Sequence, residues 1–147
     1  MSERKRILVV DDDSSIRTTI SFILEEEGYI VDAVETGKEA IEKAQSNYYN
    51  LALLDYRLPD MEGTVLLSTF KETTPKMAKI MVTGYPSTSN AIESLNKHAD
   101  AFLVKPVDPA ILVQTVKTEL KKQEEAQAYS ENKVTEYIQT RIKQLEQ

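Results

Sequence analysis

Ile7-Leu-Val-Val-Asp11-Asp12-Asp13 is the stretch from which the rest of the chain can be read. Four apolar residues in succession, without alternation, suit a strand covered on both faces, as in a parallel sheet layered between helices. Three acids follow where such a strand would end. Three more short runs, residues 51–54, 79–82 (apolar after Lys79) and 101–104, are similar, and each is also followed at once by a polar residue: Asp55, Thr83 and Lys105. A fifth run, residues 29–34, is more mixed and reads as a strand nearer the sheet edge.

Helical stretches separate these runs. Residues 14–27 place Ile16, Ile20, Ile23 and Leu24 on one face, with Gly28 following as a C-terminal cap. Thr36-Gly-Lys-Glu39 is a capping box opening a helix that carries Ala40, Ile41 and Ala44. Residues 63–73, 87–97 and 108 onward supply three more. Strand and helix alternate five times, which predicts a three-layer, doubly wound α/β fold with right-handed crossovers over residues 4–120.

Composition narrows the class. The chain has 147 residues, 41% hydrophobic and 29% charged, with 4 Gly and 5 Pro, an ordinary globular balance. There is no Cys and only one His, His98, which excludes disulfides, thiolate-held metals and multi-histidine metal sites. No apolar run reaches membrane-spanning length and no signal-peptide core follows Met1, so a cytoplasmic location is expected. Residues 121–147 carry five acids and five bases, so the net charge of −6 lies in residues 1–120. Arg4-Lys5-Arg6 is too short a basic run for a polyanion site, and no direct nucleic-acid contact is expected.

Residues 121–147 lack Gly and Pro and continue the last helix. Val134, Ile138, Ile142 and Leu145 recur at spacings of four, four and three on one side of it. Two readings stay open: a partner-binding or self-pairing helix, or a solvated helix that frays.

In an open parallel sheet the carboxyl ends of the strands lie along one edge, where ligands bind. Asp11, Asp12, Asp55, Thr83 and Lys105 come from four distant segments and would meet there. Carboxylates gathered at close range repel, and a divalent cation with a preference for oxygen, such as Mg²⁺, removes the conflict. Lys105 and Thr83 would then face an anion, one by charge and one by its hydroxyl. Taken singly, each residue could be a cap or a turn; Asp13 or Ser14 could simply cap the first helix.

Over about residues 5–120 the chain resembles the receiver domain of two-component response regulators. The pieces that carry the resemblance are Ile7 to Asp13, Leu53-Leu-Asp55-Tyr-Arg-Leu-Pro59-Asp-Met-Glu-Gly63, Met81-Val-Thr83-Gly84 and Ala101-Phe102-Leu-Val-Lys105-Pro106. The resemblance implies a flavodoxin-like, five-stranded parallel sheet in the order 2-1-3-4-5, here with an extended C-terminal helix. It implies Asp55 as phosphoacceptor, with Mg²⁺ held by Asp12, Asp55 and the Arg57 carbonyl, and by Asp11 through water. Lys105 and Thr83 would contact the phosphoryl group, Thr83 and Phe102 would switch together, and Lys105–Pro106 would be cis. Asp13 receives no role beyond capping. Arg57 and Tyr85, large residues that would flank the path of attacking water, imply slow self-dephosphorylation.

The implied partner is a sensor histidine kinase, and dimerisation through the last sheet-covering helices or residues 121–147 is a further expectation. The chain is expected to be a phosphoacceptor rather than an enzyme, standing alone or cut within a connector helix. Two other readings compete. One is a magnesium-dependent phosphatase with an aspartyl nucleophile, using Asp11 and Asp13. The other is a phosphorylation-independent scaffold in which residues 121–147 do the binding. His98 stands where the family often has Gly, and it is read as a surface residue rather than a relay histidine.

Overall fold

A computed structural model describes residues 4–146 apart from Thr74, Tyr85, Pro86, Lys97 and His98, and only the backbone of Asn90, Leu95 and Asn96. The expectations for Tyr85 and His98 therefore lie outside the described residues. Elements alternate along the chain as β1 (Arg6–Val10), α1 (Ser14–Glu26), β2 (Ile30–Val34), α2 (Gly37–Ser46), β3 (Leu51–Asp55), α3 (Gly63–Thr69), β4 (Ala78–Thr83), α4 (Thr88–Asn96), β5 (Ala101–Val104) and α5 (Pro109–Glu146). The strands form one parallel sheet in the order β2-β1-β3-β4-β5. The mixed β2 is at one edge, as its sequence predicts.

The uninterrupted apolar runs follow from burial on both faces. Leu8, Val10, Ala52, Leu54 and Met81 point to one side, into a cluster with Ala40, Leu66 and Leu67 of α2 and α3. Ile7, Val9, Leu51, Leu53, Ile80 and Val82 point to the other, packing with Ile20 and Leu24 of α1 and Leu112, Val116 and Leu120 of α5. At roughly 1.5–3 kcal/mol for each large apolar side chain removed from water, these two layers dominate the stability of the fold.

Local signals set the helix ends. Asp13 caps α1, its side chain accepting the Ser15 and Ile16 N–H groups. Gly28 adopts φ 94° and closes α1, with Tyr29 N–H bonded to the Leu24 carbonyl and Gly28 N–H to that of Glu25, a Schellman ending. Asp108 caps α5 by accepting from Ala110 and Ile111, with Pro109 at the first helical position. The third helix is shorter than the expected residues 63–73. Phe70 leaves helical geometry and buries its ring in the core, while the Ser68 and Thr69 hydroxyls bond back to the carbonyls of Thr64 and Val65.

The fifth helix runs for 38 residues, ~57 Å at the usual rise. Its hold on the sheet extends past Leu120. The Gln123 side chain donates to the carbonyls of Asn50 (2.8 Å) and Lys76 (2.6 Å), and Glu124 pairs with Lys5 at 3.1 Å. Beyond residue 127 every described position is exposed, including Val134, Ile138, Ile142 and Leu145.

The start of α2 is tied to the loop after β3. Asp60 accepts the Gly37 and Lys38 N–H groups, each at 2.9 Å, and Thr36 accepts that of Glu39. Three of the four open donors of the helix are thereby satisfied, two of them from a distant loop. The Glu39 side chain meets the Thr36 hydroxyl, so the capping box closes on a side chain. Those N–H groups hold the Asp60 carboxyl below the usual carboxylate range. A depressed pKa means that the stabilisation exists above the unfolded value and is lost as pH falls through the folded one. Asp60 is solvent-exposed, so Asp60→Ala should cost about 1 kcal/mol at pH 7, the size of an ordinary cap. Urea denaturation should show the gap from wild type closing below about pH 4.

Candidate functional site

The four strands β1, β3, β4 and β5 end side by side, so the residue after each apolar run is delivered to the same edge. Asp11 leaves β1 with its N–H bonded to the Val34 carbonyl, and Asp55 is the last residue of β3. Both are buried, while Asp12 is exposed at the mouth. Carboxylate oxygens of Asp11, Asp12 and Asp55 lie within 4.8 Å of one another. Opposite ligands of an octahedral Mg²⁺ stand about 4 Å apart, so this group of hard oxygen donors suits one such ion with a carboxylate acting through a water.

Lys105 reaches into the acidic group from the end of β5. Its ammonium lies 2.8 Å from Asp11 Oδ2 and 3.2 Å from Asp55 Oδ2. Its own N–H bonds the Thr83 carbonyl at 2.7 Å, which ties the β4 and β5 ends together. The Lys105–Pro106 peptide is cis. Burial works against the ammonium, but the hydrogen bond to Asp11 and the charges of Asp55 and Asp11 outweigh it and raise its pKa. The Asp55 carboxyl is also pushed up, by burial first and by Asp11 second, against the opposing pull of Lys105 and the Arg57 N–H. A buried carboxylate beside a second one, with a lysine across it, is an oxygen nucleophile held next to a cation.

The loop after β3 is fixed at close range. Arg57 N–H donates to Asp55 Oδ1 at 3.3 Å, and Gly63 N–H donates to the Tyr56 carbonyl at 2.7 Å. A Cβ on Gly63 would collide with the Asp55 carbonyl oxygen, so only glycine lets α3 start here. Thr83 is buried at the end of β4. Phe102, opposite Met81 in the register, packs half-buried against the cluster containing Tyr56, Met81 and Ala99.

Asp11, Asp12, Asp55, Thr83 and Lys105 thus share one edge. Asp13 does not join them; its carboxylate turns to cap α1. The sequence left three neighbours unremarked. Arg17 donates to the Asp11 carbonyl at 2.8 Å. Asp60 anchors the loop, and the Tyr56 hydroxyl donates to Glu93 of α4 at 3.1 Å. Burial, with Glu93 second, raises the Tyr56 pKa and keeps that hydroxyl a donor. No spacing rule marks any of the three, because each partner is distant in the chain or is a backbone atom. A crevice of about 460 Å³ adjoins the site, lined by Ser15, Ile16, Thr19, Ile20, Lys105 and Val107 among others.

Comparison with known proteins agrees with this geometry. The family model of the response regulator receiver domain matches residues 7–117. A CheY-like response regulator receiver domain protein from Methanospirillum hungatei JF-1 is 48% identical, with a TM-score of 0.80 covering 84% of this chain and 99% of that one. The transcriptional regulatory protein ResD of Bacillus subtilis (strain 168) is 33% identical over 90% of this chain and 55% of its own length. ZraR of Escherichia coli (strain K12) is 35% identical over 69% of this chain but 23% of its own. The chain therefore spans about half, or less, of these curated relatives. A match over most of the sheet and helices, with the acidic strand ends in place, means that the chain belongs to the response regulator receiver domain family of two-component signal transduction.

Proposed function

We propose that Asp55 accepts a phosphoryl group from a sensor histidine kinase, or from a small phosphodonor, and that the acyl phosphate switches partner binding or dimerisation. The observation that carries this reading is the Lys105 ammonium bridging buried Asp11 and Asp55. An Asp55 carboxylate oxygen attacks phosphorus in line, the bond from phosphorus to the donor's imidazole nitrogen breaks, and the histidine leaves. Lys105 moves from the acceptor carboxylate to the oxygens of the arriving group and offsets their charge. Mg²⁺ would be held by Asp12, Asp55 and the Arg57 carbonyl, with Asp11 through water, and supplies further charge neutralisation when bound. Buried Thr83 turns its hydroxyl to the phosphoryl group, and Phe102 moves inward behind it.

The chain acts as a phosphoacceptor rather than as a catalyst of free phosphoesters. In favour of this, Asp13 is occupied in capping α1, which leaves a phosphatase reading without the second acid of its pair. A location in the cytoplasm fits the kinase partner; no helix among the described residues is long and apolar enough to cross a membrane. Dimerisation draws support from a structural neighbour, the beryllofluoride-activated NtrC4 receiver domain dimer, which is 36% identical with a TM-score of 0.76 over 80% of this chain and 98% of that one. On the α5 extension, Val134, Ile138, Ile142 and Leu145 each stand half or more exposed and form a stripe for a second copy.

Intact-mass spectrometry after incubation with Mg²⁺ and acetyl phosphate should show one added phosphoryl group, absent from Asp55→Asn and without Mg²⁺. No adduct in wild type, even with BeF₃⁻ as a trap, would favour the scaffold; phosphate release surviving Asp55→Asn would favour the phosphatase. Arg57→Asn with Tyr85→Glu should shorten the lifetime of the adduct by opening the water path, and an unchanged half-life would remove the steric account. Ile138→Glu with Ile142→Glu should convert a dimer to a monomer in light scattering if the stripe pairs; an unchanged mass would take the extension out of the interface.

A further inference from the structure

Tyr56 follows the acceptor directly, and its position in the chain gives it two anchors. Its N–H donates to the Val82 carbonyl at 2.9 Å and its carbonyl accepts the Gly63 N–H, so its backbone is fixed between β4 and α3. Its side chain is buried in the cluster that also holds Met81 and Ala99. Only the hydroxyl reaches beyond, to Glu93 Oε2 of α4 at 3.1 Å. The residue beside the acceptor therefore touches, by one rigid side chain, the helix that flanks β5.

We infer that the Tyr56–Glu93 hydrogen bond is a latch that holds α4 in the arrangement in which Lys105 is paired with Asp55, and that it opposes the phosphorylated arrangement. The inference rests on the proposed role of Asp55 and on the accompanying movement of Thr83. Val82, whose carbonyl holds the Tyr56 N–H, immediately precedes Thr83, so a displacement of Thr83 toward the phosphoryl group is passed to the Tyr56 backbone. The ring is buried and the hydroxyl is bonded to Glu93, so that displacement strains the bond to α4, and the bond resists it. Tyr56 is thus a positioning residue: it acts on the acceptor site through α4 and the end of β4, not by contact with the transferred group. Coupling is reciprocal: whatever the latch costs phosphorylation, phosphorylation costs the latch.

Three variants of the full chain separate this from a merely structural role. Tyr56→Phe keeps the ring and removes the hydroxyl; Glu93→Ala removes the acceptor; Glu93→Gln retains an acceptor oxygen. In the ligand-free protein, hydrogen exchange over Thr88–Asn96 should quicken at least threefold in Tyr56→Phe and Glu93→Ala and stay near wild type in Glu93→Gln. In a titration with BeF₃⁻ and Mg²⁺, Tyr56→Phe and Glu93→Ala should bind about three- to tenfold more tightly than wild type, the worth of one such hydrogen bond. Unchanged exchange in α4 would overturn the latch. So would weaker or unaltered BeF₃⁻ binding alongside faster exchange, which is what general loosening produces. Failure of wild type to bind BeF₃⁻ would instead count against the role of Asp55, and with it the latch as a brake on phosphorylation.

Discussion

Everything in this molecule depends on a sheet whose central strands are covered on both faces. With helices on either side, side chains along β1, β3 and β4 lie between apolar layers, and most positions within them are apolar. Polar side chains are then left to the strand ends, Arg6 and Lys79 near the starts and the site residues where the strands stop. Parallel pairing brings all those stops to one edge, so four residues from remote parts of the chain become neighbours without any of them contacting another in sequence. The site is a consequence of the layering.

At that edge the electrostatics are deliberately unresolved. Two buried carboxylates and a third at the mouth face the Lys105 ammonium, and the pKa of Asp55 rises because burial and Asp11 outweigh Lys105. A group with an unsatisfied demand for positive charge on one side and a shared lysine on the other gains from any ligand that redistributes those charges. The tight approach of Gly63 to the Asp55 carbonyl keeps the geometry from relaxing away from this arrangement. The loop after the acceptor is held from outside as well, because Asp60 is bound into the start of α2.

The strands, their edge, and most helix ends were legible because each depends on local chemistry. Apolar runs, an Asp before α1, a Gly after it and Asp108-Pro109 before α5 act within a turn of their own position. α3 ends before residue 73 because Phe70 leaves the helix for a place in the core, a tertiary preference that helical periodicity does not carry. The hold of Gln123 on Asn50 and Lys76 was invisible for the same reason: a polar residue in a polar stretch gives no sign that it bridges two carbonyls across the fold.

The sequence by itself determined the layered architecture, the strand-end residues and their meeting at one edge, since unbroken apolar runs and a helical period of 3.6 encode burial directly. Only the tertiary structure decided that Lys105 bridges Asp11 and Asp55, that Gln123 holds the Asn50 and Lys76 carbonyls, and that Tyr56 reaches Glu93. Those outcomes depend on distances and rotamers fixed by packing between segments far apart in the chain. Hydrophobic pattern is a property of one segment; a hydrogen bond between two segments exists only once both have been placed.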